Sequence, residues 1–134
     1  MILIDTSVWV EFFRKQGSPQ AKSRVASLLN DDSAAYTCPV LLELSAGARE
    51  TAEVDLISET LGLCQRFVFQ PEFWERAARI ERNLRQRGVT VPRDDILVAT
   101  VAIECQLTLL CRDVHFDLIG RKGGCVLKLE QIQW

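Results

Sequence analysis

The sequence has a single histidine, and its five cysteines are scattered, odd in number and without a CxxC pair. A zinc site built from histidines or cysteines is therefore excluded, and so is a disulfide framework. Cys38, Cys64, Cys105, Cys111 and Cys125 are expected to be reduced, mostly buried small hydrophobes, as in a cytoplasmic protein. No GxxxxGK[ST] run occurs, which excludes P-loop nucleotide hydrolysis. No apolar run approaches the ~18 residues of a membrane-spanning helix, and MILID shows no basic leader ahead of an apolar stretch. Neither a membrane partner nor a signal peptide is expected. Internal repeats, low-complexity tracts and linkers are also missing.

What is present fits one ordinary domain spanning 1–134, with 48% hydrophobic and 25% charged residues. Short apolar runs alternate with stretches of helical period. Strands are expected at 2–4, 35–38, 66–69, 107–111 and 125–129. Between them, helices are expected from SVWVEFF and at 20–30, 39–49 (with Pro39 at its first position), 52–63, 71–86 and 94–105. In the 71–86 helix Phe73, Ala77, Ile80 and Leu84 repeat at the spacing of one buried face. Strands apolar on both faces and separated by helices indicate a three-layer α/β/α sandwich around a central, mainly parallel sheet.

The acids are informative because of where they fall. Asp5 ends the first strand, and Asp113 lies two residues beyond the 107–111 strand. Asp95 falls in the first turn of the helix after Pro92, and Glu43 one turn into the helix after Pro39. In parallel sheets strands end and helices begin on one edge, where ligand crevices form. Four carboxylates are thus expected to converge. Plainer explanations exist for some of them, since aspartates also favour helix starts and turns. Glu43 fits those less well, because LLEL sets a carboxylate among leucines, where an unpaired buried charge is costly.

Crowded carboxylates need relief. At ~4 Å and an effective dielectric of ~20, each like-charged pair costs about 4 kcal/mol. Either some protonate or a divalent cation sits among them. Oxygen ligands suit Mg²⁺ or Mn²⁺ rather than Zn²⁺, and such an ion activates water against a phosphate. The chemistry indicated is phosphodiester hydrolysis. The net charge of −2 does not oppose a nucleic-acid partner, because the four acids alone account for −4 and the rest of the chain sums to +2.

MILIDTSVWVEFF resembles the opening of PIN-domain nucleases, particularly the VapC-type toxins. CPVLLELSAGAR, GVTVPRDDILVATVAIE and LTLLCRDVHFDLI resemble their second, third and fourth acidic motifs, at intervals of 38, 52 and 18 residues. The resemblance implies a PIN-like α/β/α fold and a Mg²⁺- or Mn²⁺-dependent endoribonuclease acting on RNA, with tRNA among the candidate targets. It carries over Asp5, Glu43, Asp95 and Asp113 as the catalytic acids, with Asp5, Asp95 and Asp113 on the metal. Thr6 and Ser7 match a hydroxyl position that supports the first aspartate or its metal. The resemblance also implies a cognate antitoxin protein, and a homodimer or a toxin–antitoxin hetero-oligomer. Counting back from Ala99 and Glu104 sets Asp95, not Asp94, on the family position. Asp94 is then expected as the helix N-cap and Asp117 as an auxiliary acid.

Other residues are read more plainly. His115 is expected on the surface of an RDVHFD loop, without a partner that would make it a base. Arg79, Arg82 and Arg85 should point outward on a solvated helix face, whereas Arg49, Arg93 and Arg112 lie nearer the expected site and are the better candidates for RNA contact. Trp9, Phe12 and Phe13 are either core or part of a groove for an antitoxin helix. Trp134 either packs onto the sheet or joins a dimer interface. The competing functions are a housekeeping RNA-processing PIN nuclease and a non-catalytic α/β regulatory module. No Ser–His–Asp set, receiver-type acidic pair or DxD at the first strand can be found to support other chemistry.

Overall fold

Five short strands, β1 (Ile2–Ile4), β2 (Ala34–Thr37), β3 (Gln65–Phe67), β4 (Thr108–Cys111) and β5 (Leu129–Gln131), form one sheet in the computed structural model, which describes residues 1–134. Their order is β3-β2-β1-β4-β5 and every pairing is parallel. The middle strand β1 pairs Leu3 with Ala35 on one side and with Leu109 on the other. Leu3, Ile4, Ala35, Leu109, Leu110 and Cys111 are all fully buried, as expected of strands covered on both faces.

The helices are α1 (Thr6–Phe13), α2 (Pro19–Asn30), α3 (Cys38–Gly47), α4 (Thr51–Leu61), α5 (Phe73–Gln86), α6 (Arg93–Glu104) and α7 (Val114–Lys122). Helix α1 packs on α2 and α3, and α3 on α4, while α5, α6 and α7 pack on one another. Right-handed crossovers produce this division when the chain runs outward from β1 to β3 and then returns to β4 beyond β1. The expected three-layer α/β/α sandwich is therefore present. The strand order reverses between β1 and β4, so the carboxyl ends of these two strands flank the crevice. No helix is long and apolar enough to cross a membrane.

The buried faces follow the sequence periodicity closely. Ala77, Ile80 and Leu84 of α5 are buried, with Phe73 partly so, while Arg79, Arg82 and Arg85 face solvent. Trp9 is fully buried, stacked on Phe13 at 5.7 Å and met edge-on by Phe12 at 5.8 Å, so it is core.

Several expectations need correction. The RDVHFD segment is not a loop but the start of α7, whose Phe116 and Ile119 are fully buried one turn apart. The last strand is Leu129–Gln131 rather than 125–129. Its place is set by pairing with β4, where Cys111 aligns with Gln131, and not by the apolar alternation upstream. Leu127 instead packs toward Gly120 of α7. The third strand begins at Gln65 and ends at Phe67, because Phe69 turns away to pack with Phe73 and Trp74. Of the five cysteines, all free, only Cys111 is fully buried and the other four are half-buried.

Candidate active site

Asp5 follows β1 and caps α1. Its carboxylate accepts from the backbone N–H of Ser7 at 3.1 Å and from the Ser7 hydroxyl at 2.7 Å, and the residue is buried at 5% exposure. Burial pushes its pKa up, the Ser7 hydrogen bonds oppose that, and the charge of Asp113 adds to the rise. Ser7 thus holds the first acid in place. The Thr6 hydroxyl is buried, and its interaction with the Glu43 carboxylate partly offsets the rise in that acid's pKa.

Asp113 repeats this device after β4. It caps α7, accepting from the backbone N–H of His115 at 2.9 Å. The imidazole of His115 then turns into the crevice, with Nδ1 at 3.0 Å from Asp113 Oδ1 and 2.9 Å from Asp95 Oδ2. This overturns the expectation of an unpartnered surface histidine. The readable signal was an aspartate N-cap before a Phe116/Ile119 stripe, which starts a helix at Val114 and puts His115 on its cap's own turn.

Asp95 sits in the first turn of α6, half-buried. Its pKa is pushed up to about 6, by burial first and then by Asp5 and Asp113, against the pull of His115. Asp94 is not the N-cap. Pro92 occupies that position, with no side-chain cap, because α6 begins one residue earlier than expected, and Asp94 is exposed in the first turn. Glu43 is exposed rather than buried among leucines. Val40 and Leu44 take the inner face of α3 at one-turn spacing, which turns Leu42 and Glu43 outward. Its carboxyl is nevertheless raised, by desolvation and then by Asp5, Asp94 and Asp95, so it shares their field. Asp117 is ion-paired with Arg121 at 3.1 Å on α7.

Of the candidate RNA-contacting arginines, Arg93 is held by both carboxylate oxygens of Glu81, at 2.9 and 3.2 Å. Arg49 is exposed and its side chain makes no ion pair, only its backbone N–H meeting Glu53. Arg112 is exposed and lies over the Trp134 ring at 4.5 Å. Trp134 is half-buried and packs against the core.

Ligand atoms of Asp95, Asp113 and His115 all lie within 4.8 Å of one another. A buried Asp5 and a half-buried Asp95, both with raised pKa values, and an oxygen-rich donor set fit a divalent cation. A groove lined by Val10, Phe13, Leu44, Leu56 and Ile57 carries Arg14, Lys15, Glu43 and Glu53 on its walls, with Arg14 paired to Glu11 at 3.0 Å.

The PIN domain family model matches residues 2–122. Ribonuclease VapC11 of Mycobacterium tuberculosis and VapC ribonuclease Mb1587 of Mycobacterium bovis are each 37% identical to the chain over 125 residues, covering 90% of it and 92% of the relative. Two solved structures share the fold. VapBC2 from Rickettsia felis, bound to a DNA fragment from its promoter, gives a TM-score of 0.77 at 21% identity and covers 99% of this chain and 100% of that one. FitAcB from Neisseria gonorrhoeae gives 0.77 at 21%, covering 96% of each.

Proposed function

The chain belongs to the PIN domain family, and on that premise we propose that it is a metal-dependent endoribonuclease acting as the toxin of a toxin–antitoxin pair. The observation that carries the reading is that ligand atoms of Asp95, Asp113 and His115 gather within 4.8 Å beside the strand-order reversal between β1 and β4, with Asp5 close enough to raise the Asp95 carboxyl. The ribonuclease names of relatives at 37% identity supply the substrate class.

In this reading Asp5, Asp95 and Asp113 hold Mg²⁺ or Mn²⁺. When bound, the cation lowers the pKa of water and stabilises charge on the attacked phosphate. Ser7 fixes the Asp5 carboxylate through two hydrogen bonds, and the Thr6 hydroxyl lies toward Glu43. Glu43, exposed on α3 but within the field of Asp5 and Asp95, would take up the proton released by the attacking water, a role its raised pKa favours. Asp94 adds negative field beside Glu43, whereas the charge of Asp117 is offset by Arg121. Arg49 and Arg112, whose guanidinium groups are free of carboxylates, are the better phosphate contacts, whereas Arg93 is already committed to Glu81. An amphipathic helix of the antitoxin fits the apolar groove between α1, α3 and α4, packing on Val10, Phe13, Leu44, Leu56 and Ile57.

The test is cleavage of total RNA by purified protein with Mg²⁺, with Mn²⁺ and with EDTA, beside an Asp5→Asn variant. Discrete metal-dependent cuts should appear with wild type and be lost in the variant, which keeps a cooperative melt. Metal-independent cutting, or equal cutting by the variant, would remove the reading. A non-catalytic module would bind RNA or a protein partner without cutting.

A further inference from the structure

His115 is the chain's one histidine, and α7 carries it into the acid cluster rather than to the surface. We propose that Nδ1 of His115 is itself a ligand of the cation held by Asp95 and Asp113, and that this nitrogen shifts the site's preference from Mg²⁺ toward a first-row transition cation, Mn²⁺ foremost. The inference rests on the reading of the crevice as a cation site.

Geometry comes first. Neighbouring ligands in an octahedral shell with bonds of about 2.1 Å stand about 3 Å apart. His115 Nδ1 lies 2.9 Å from an Asp95 oxygen and 3.0 Å from an Asp113 oxygen. The backbone N–H of His115 is bonded to the Asp113 carboxylate, so imidazole and acid are fixed on one turn. Ligand identity follows. Mg²⁺ keeps water and oxygen around it, whereas imidazole suits transition cations; with aspartates forming the rest of the set, Mn²⁺ satisfies both kinds of donor. If His115 only pinned the two aspartates by hydrogen bonds, its loss would weaken Mg²⁺ and Mn²⁺ alike.

A single histidine makes the test direct. Full-length protein, with any affinity tag removed, is loaded with Mn²⁺ near neutral pH and examined by electron spin-echo envelope modulation. Any imidazole nitrogen coupled to the bound ion must be that of His115. We expect ¹⁴N coupling in wild type and none in His115→Asn. By calorimetry, Mn²⁺ should bind wild type about tenfold or more tighter than Mg²⁺, and His115→Asn should lose most of that ratio through Mn²⁺ alone. Bound Mn²⁺ without nitrogen coupling overturns the proposal, as does an equal loss of both cations in His115→Asn. The wild-type spectrum decides even if the variant fails to fold. Metal-dependent RNA cleavage with an uncoupled Mn²⁺ would sink this inference and leave the nuclease standing. Failure of wild type to bind Mn²⁺ while Mg²⁺ still supports cleavage would sink this inference alone, and binding of neither cation would remove both.

Discussion

Asp95 stores a cost in the metal-free fold. Its pKa stands at about 6, above the ordinary 3.8, because burial removes water from a carboxylate that also faces Asp5 and Asp113. A raised folded pKa means that the native state binds the proton more tightly than the unfolded chain does. The associated stability is full below 3.8 and is lost as pH rises through about 6. In EDTA, Asp95→Asn should therefore melt higher than wild type near pH 7.5, with the gap closing toward pH 4. Equal melting points across that range would show that the cluster carries no such cost. Cys111 lies beside the same acids, and burial together with Asp5 and Asp113 pushes its thiol up to about 12. It should resist alkylation in the native protein, and labelling at the rate of an exposed thiol would contradict this. Asp5, Asp95 and Asp113 were legible as residues because each falls just after a strand or in a first helical turn, and Glu43 because it lies one turn into a helix that follows a strand. His115 was not, since its role depends on a side-chain direction set by α7.

At the scale of elements, α7 matters most. It delivers Asp113 and His115 and is anchored by Phe116 and Ile119, both fully buried. Phe116→Ala should cost about 3–5 kcal/mol in a urea titration, the range for emptying a large aromatic from a core. It should also weaken Mn²⁺ binding, although residue 116 is no ligand. Unchanged metal affinity in a destabilised variant would mean that α7 does not position the site. The helices whose apolar residues repeat with a clear period were legible to within two residues at their starts, α5 being the example. Segments ruled by pairing were not. The 125–129 run alternates like a strand, but backbone bonds run from Leu109 N–H to the Lys128 carbonyl and from Ile132 N–H to the Cys111 carbonyl. The register of β4 thus draws the strand downstream.

For the whole molecule, the site is a product of topology. Asp5 and Asp113 are 108 positions apart in sequence, and they meet only because β4 inserts beside β1. A ligand that binds the folded state alone should raise stability by about 2.7 kcal/mol at one hundred times its dissociation constant. Mn²⁺ should accordingly raise the melting temperature of wild type and lose that effect on addition of EDTA. The rise should be smaller near pH 5 than near pH 7.5, because protons compete for the same acids. A shift of equal size in Asp5→Asn would mean that the cation binds elsewhere.

The sequence by itself determined the layered architecture and the positions of Asp5, Asp95 and Asp113 at strand ends and a helix start, because both follow from local periodicity and from the edge on which parallel strands stop. Only the tertiary structure decided that Glu43 faces solvent, that Pro92 rather than Asp94 stands at the start of α6, that Arg93 is held by Glu81 and that His115 joins Asp95 and Asp113. These depend on which face of a helix meets a neighbour and on side chains from distant elements sharing a few ångströms, which no local pattern encodes.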